Sequence, residues 1–275
     1  MAASSLNKDP FPGDTAFAAR VRHAEPVMGT VVSFDVPVAA RHDGSLDDAI
    51  RWLHWVDRVF SPFRRESDVS LLAGGEVTVD GCAPEMAEVI EACAFVRELS
   101  GGYFTASPWG RFDPSGYVKG WAVERAAHIL SAAGSASHLV NGGGDVQCAG
   151  GRPGPAPGTG PVPAWRVGIA DPLRRGRLAL VVEARDCAVA TSGTAERGAH
   201  IVNPRTGAAA VGLASVTVAG PSLALADACA TAAFAMGPGL ARDWTESLDG
   251  YAAYAITAAG DTWQTTGFAD RIARD

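Results

Sequence analysis

The sequence predicts an α+β fold built on antiparallel sheet. Its helical stretches are grouped between runs of strand-like segments, without the steady strand–helix alternation of a doubly wound fold. Composition agrees: the 275 residues are 47% hydrophobic and 19% charged, ample for a core and too apolar for a disordered chain.

Residues 1–25, small and polar, read as a loose lead-in to a single domain over 26–275. Val31, Val32, Phe34 and Val36 mark a first strand over Thr30–Val36. A helix is expected from Ser45, a plausible N-cap, with Asp47 and Asp48 in its first turn and Leu46, Ile50, Leu53, Val56 and Phe60 on one stripe. Pro84 opens a second helix that runs to Leu99 with Met86, Ile90, Cys93 and Val96 on its apolar face, stopped by Ser100-Gly101-Gly102. A third spans about Lys119 to Ala133. A short strand, His138–Asn141, then enters three glycines. Glycine and proline alternate through residues 150–164, which read as a surface loop. Strands follow at Trp165–Ala170, Leu178–Ala184, Ala188–Thr191 and Ser215–Ala219. A helix over about Ala224–Met236 is closed by Gly237-Pro238-Gly239, and Tyr251–Thr257 is the last strand.

Several classes of function are excluded. With 23 Lys and Arg against 30 Asp and Glu the net charge is −7, and there is no basic run, so a nucleic-acid partner is not expected. No apolar run approaches the roughly 20 residues that span a bilayer. The N-terminal stretch has neither the charged-then-apolar pattern of a secretory signal nor a cysteine to carry a lipid. Five scattered cysteines without C-x-x-C fit reduced thiols, and a cytoplasmic location is expected.

Four segments combine turn residues with polar groups that cores rarely tolerate. Met28-Gly29-Thr30 stands at the first strand, and taken alone reads more readily as an ordinary strand entry than as a functional segment. In Asp113-Pro-Ser-Gly-Tyr-Val-Lys119-Gly120-Trp121 a turn runs into a helix, and Lys119 at the helix start makes a candidate phosphate site, or else a solvated lysine beside a capped turn. Asn141-Gly-Gly-Gly-Asp145 admits close approach of a ligand or simply a tight turn, and matches neither the dinucleotide fingerprint nor the P-loop. The fourth runs from Thr191-Ser192-Gly193 through His200-Ile201-Val202-Asn203-Pro204-Arg205-Thr206-Gly207 and, beyond a strand, to Ala226-Asp227-Ala-Cys-Ala-Thr231. Asp227 and Thr231, four apart, face one way on a helix and present oxygens of the kind magnesium prefers. A helix cap or first-turn charge is the plain alternative for Asp227.

Taken in order, these segments resemble the ApbE family of FAD:protein FMN transferases over roughly Val27–Thr257. The resemblance rests on M-G-T at 28–30, D-P-S-G-Y-V-K-G-W-A at 113–122, N-G-G-G-D at 141–145, T-S-G at 191–193, H-I-V-N-P-R-T-G at 200–207 and A-D-A-C-A-T at 226–231. It implies an α+β fold related to T-fold sheets. It also implies transfer of FMN from FAD to a threonine hydroxyl of a target flavoprotein, with magnesium and release of AMP. Carried over residue by residue, Asp227 and Thr231 are metal ligands, joined by the carbonyls of Gly116 and Ala230. Met28, Asp113, Lys119 and Ile201 stand at FAD-contacting positions, and His200 helps deprotonate the acceptor. Manganese suits the same oxygens.

Two positions depart from many relatives. Thr105 replaces an acidic residue after the Gly-aromatic-Phe turn. Phe63 stands where some relatives place a tyrosine beside the flavin, and it can stack but not donate a hydrogen bond. Many relatives are exported lipoproteins, unlike the expectation here. The competing readings are an FAD pyrophosphatase, with water as nucleophile, and a flavin carrier without turnover.

Overall fold

The computed structural model describes residues 19–152, 162–194 and 201–274. In chain order the elements are β1 (Arg20–Val27), β2 (Thr30–Pro37), α1 (Ala39–His42), α2 (Ser45–Phe60), α3 (Asp68–Ala73), α4 (Glu85–Leu99), α5 (Ser115–Ala132), β3 (His138–Gly142), β4 (Asp145–Ala149), β5 (Trp165–Ala170), β6 (Leu178–Ala184), β7 (Cys187–Gly193), β8 (Val202–Asn203), β9 (Ala208–Ala209), β10 (Leu213–Gly220), α6 (Leu223–Met236), α7 (Pro238–Glu246), β11 (Ala252–Thr257) and β12 (Thr262–Gln264). The fold is α+β, and the expected antiparallel sheet is its centre.

Eight strands form that sheet in the order β1-β2-β3-β4-β7-β10-β11-β12, every neighbouring pair antiparallel. β10 is buried along its whole length, the mark of a central strand covered on both faces. One face carries the larger core, where Leu53 and Val56 of α2, Val96 of α4, Val123 of α5 and Phe234 of α6 meet Val32, Phe34 and Val216 of the sheet. The β5–β6 hairpin covers part of the other face, packing Trp165, Val167 and Val182 on Val146, Val189 and Ala219, with Phe268 from a terminal 3-10 turn.

Two helices position the site. α6 is alanine-rich and buried all round, so other elements approach closely. Its N-cap Ser222 accepts from the Leu225 N–H, and Glu124 of α5 accepts from both the Ser222 hydroxyl and the Ala224 N–H. At the crossing of α5 with α6 stands Gly120, where a Cβ would lie 2.6 Å from the Leu223 carbonyl oxygen.

The structure departs from the sequence reading in definite places. Arg20–Val27 forms an edge strand, although residues through 25 were expected to be loose. α5 begins at Ser115, so Lys119 lies one turn inside the helix and not at its start. Gly44, at φ 82°, is the N-cap of α2, and Ser45 is the first helical residue. The three glycines lead directly into a further strand, β4, and α3, α7 and β12 are also additional. Most of the Gly/Pro-rich segment, residues 153–161, lies outside the described residues.

Candidate active site

A cleft of about 270 Å³ opens where four of the singled-out segments converge. Two hairpin turns form one rim. Met28 and Gly29 have φ of 54° and 69°, and Gly143 and Gly144 have φ of 61° and 98°, as a tight two-residue connection requires. The turns touch, since a Cβ on Gly143 would sit 2.6 Å from the Thr30 hydroxyl oxygen. Glycine here lets the β3–β4 turn slide under Thr30, and Thr30, Gly143 and Gly144 all line the cleft.

The floor is charged. Lys119 of α5 pairs with Asp145 of β4, and its Nζ lies 3.3 Å from Asp227 Oδ2 of α6. Both carboxylates are almost wholly buried, whereas the lysine keeps a quarter of its side chain exposed on the cleft side. Each carboxylate has a backbone donor too: the Thr191 N–H reaches Asp145 Oδ1 at 2.9 Å, and the Gly120 N–H reaches Asp227 Oδ2 at 3.0 Å. Such donors offset part of the cost of burying charge. Two carboxylates and one ammonium thus share the floor of the cleft.

Oxygen donors of the right kind are beside it. Thr231, one turn along α6 from Asp227, bonds its Oγ1 to Ser192 Oγ of β7 at 3.2 Å. Gly116 in the first turn of α5 faces them, with its Cβ position 3.9 Å from Thr231 Oγ1. Carboxylate, hydroxyl and carbonyl oxygens suit a hard divalent cation. Among the described residues no cluster of three or more His, Cys, Asp or Glu side chains is arranged for a metal.

Of the residues singled out by sequence, Thr105, Asp113, Gly116, Lys119, Ile201, Asp227 and Thr231 line this one cleft. Asp113 Oδ1 accepts from the Ser115 N–H and so shapes the turn that starts α5. Ser222, not Asp227, is the N-cap of α6, and Asp227 lies beyond its first turn. Three residues fall outside the lining. Met28 precedes Thr30 but does not reach the cleft. Phe63 is 94% exposed in the loop after α2. Ala230 is buried in the middle of α6. His200 lies outside the described residues, and the next residue in sequence, Ile201, lines the cleft.

Sequence reasoning missed Asp145 as a site residue although its motif was noted. The signal was a carboxylate directly after three glycines. It also missed the wall made by Gly168, Ile169, Ala170 and Pro172 of the β5–β6 hairpin, and Tyr103, held over the cleft by Arg205 with the guanidinium 4.7 Å from the ring centre.

The fold thus brings a lysine, two buried carboxylates and two side-chain hydroxyls together on the floor of one cleft. The model of the ApbE family matches residues 105–255, more than half of the chain, and the chain belongs to that family. It is 30% identical over 233 residues to an FAD:protein FMN transferase of Rhodobacter capsulatus, covering 80% of this chain and 40% of that one. With the FAD:protein FMN transferase of Treponema pallidum (strain Nichols) it shares 36% over 138 residues, 46% of this chain and 38% of that one. The matches thus span about two fifths of these relatives' length. The fold is similar to the flavin transferase ApbE from Vibrio cholerae (TM-score 0.78, 21% identity, 92% of this chain and 99% of that one). It is also similar to the ApbE protein of Thermotoga maritima (TM-score 0.81, 22% identity, 93% and 100%).

Proposed function

We propose that this chain is a magnesium-dependent FAD:protein FMN transferase that moves FMN from FAD onto a threonine hydroxyl of a target flavoprotein and releases AMP. The observation that carries the reading is the Lys119 ammonium set between two buried carboxylates beside Thr231, in a chain of this family.

In the proposed step the threonine oxygen bonds to the phosphorus of the FMN half. The bond from that phosphorus to the bridging oxygen breaks, and AMP leaves with the electron pair. The hydroxyl proton passes to His200, whose neighbour Ile201 lines the cleft. Such chemistry needs alignment and charge neutralisation more than covalent help. Asp227 and Thr231 would hold the cation, with the Gly116 and Ala230 carbonyls as backbone ligands. When bound, the cation neutralises diphosphate charge and polarises its phosphorus–oxygen bonds. Lys119 supplies a second positive charge. Thr105, Asp113 and Ile201 contact the dinucleotide within the cleft, whereas Met28 and Phe63, outside its lining, would meet only a dinucleotide that extends beyond it. The five cysteines, all unpaired, support action in the reducing cytoplasm, and among the described residues no helix is long and apolar enough to cross a membrane.

The test is to incubate the chain with FAD, Mg²⁺ and a small flavoprotein domain bearing an acceptor threonine, following AMP and in-gel flavin fluorescence together. A fluorescent acceptor band that vanishes with chelator, and that falls at least about 100-fold with Asp227→Asn, is expected. Full activity of that variant would remove Asp227 from the metal site. AMP without a labelled acceptor would point to hydrolysis.

A further inference from the structure

The turn between β5 and β6 reads Asp171-Pro-Leu-Arg-Arg-Gly-Arg177. Three arginines in four residues are out of keeping with a chain of net charge −7. Leu173, Arg174, Arg175 and Arg177 are all exposed, and among the described acids only Asp171 is paired with any of the three, at 3.8 Å from Arg174. The turn is also built. Asp171 Oδ1 accepts from the N–H groups of Leu173 and Arg174 at 2.9 and 3.1 Å, while the Asp171 N–H donates to the Arg177 carbonyl at 2.9 Å. Pro172, inside this turn, lines the cleft. A hydrogen-bonded, cationic, partly apolar turn therefore adjoins the cleft through Pro172, and no step in the proposed reaction uses it.

Resting on the reading of the chain as a protein-modifying transferase, we propose that this turn is the docking element for the acceptor polypeptide, and that it recognises acidic residues flanking the acceptor hydroxyl. A substrate that is itself a protein must present a hydroxyl at the cleft mouth, and contacts beside the mouth decide which protein does so. Leu173 offers an apolar contact between the cleft wall and the arginines. Nucleic acid fits less well, because the chain as a whole is acidic, with a net charge of −7.

The test uses two fluorescein-labelled peptides carrying an acceptor threonine, one flanked by aspartates and the other by asparagines at the same positions. The variants are the triple reversal Arg174→Glu, Arg175→Glu, Arg177→Glu and the corresponding triple alanine, both on an exposed turn. Anisotropy with the intact protein should show the aspartate peptide binding about tenfold more tightly than its asparagine twin in low salt. The preference should shrink at high salt and be lost in both variants. In turnover the reversal should raise KM for the acidic acceptor about tenfold and leave KM for FAD within twofold. A changed KM for FAD with unchanged peptide binding would give the turn to the dinucleotide and overturn the proposal. Equal binding of both peptides to wild type and variants would also overturn it. Flavin transfer to neither peptide, with the binding preference intact, would count against the transferase reading alone.

Discussion

Removing Lys119 does more than delete a charge, because Asp145 and Asp227 would then face one another where water barely reaches. Breaking such a buried arrangement leaves uncompensated charge. Lys119→Met should therefore lower unfolding free energy by about 3 kcal/mol in urea melts and weaken FAD binding about tenfold. Unchanged stability would mean that the carboxylates do not depend on it. His138 makes a separate, pH-dependent contribution. Burial on β3 pushes its ring down to about 4 from 6.5, against hydrogen bonds to the backbone of Ser135 and Ala127 that raise it. Between those values the unfolded chain binds a proton that the folded chain refuses. Stability is thus full above pH 6.5, falls as the pH drops toward 4, and loses nothing further below that from this group. The loss is about 3 kcal/mol, and urea midpoints between pH 7 and 4 measure it, with His138→Leu giving a flatter curve. At this scale the polar identities were legible and their partners were not. Asp227 and Thr231 declared themselves by spacing. That Asp145 completes the floor depends on a contact with a lysine 26 positions earlier in the chain.

Among the elements, the α5–α6 crossing sets the site. Gly120 permits it, and its N–H bonds Asp227 because nothing intervenes. Gly120→Ala places a methyl against the Leu223 carbonyl and the Asp227 Cβ, at 2.6 and 2.8 Å. The substitution would be favourable for an isolated helix, yet here it should cost about 2 kcal/mol or more by overpacking and should reduce turnover. Thermal melts and AMP release check both, and a stabilised, active variant would show that the helices can part freely. The strongly periodic helices and the valine-rich strands were legible in the sequence. β1 was not, because two of its half-buried positions are His23 and Glu25. These are satisfied by each other and by His54 of α2, where an apolar pattern would have betrayed the strand. α3 is only six residues long, too short for periodicity, although its Ser67 cap was there to be read. α7 was hidden because Gly237-Pro238-Gly239 looked like an ending, and the proline instead sits in the first turn of the next helix.

For the molecule as a whole, one wall of the cleft was legible and the other was not. The turns and helix starts that carry short motifs were each visible, and the fold gathers them at one end of the sheet. The opposing wall comes from the β5–β6 hairpin, whose alternating pattern reveals a buried face but not which layer it covers. The cleft therefore has a sequence-readable side bearing the charges and a topological side that closes it. On the proposed function, this cleft couples breakage of FAD to modification of a protein. The most direct test counts AMP released against flavin bound to the acceptor, with the acceptor threonine intact and replaced by alanine. One AMP is expected per flavin-bearing acceptor, with neither product above background with the alanine acceptor. AMP formed at the same rate without the threonine hydroxyl would contradict it.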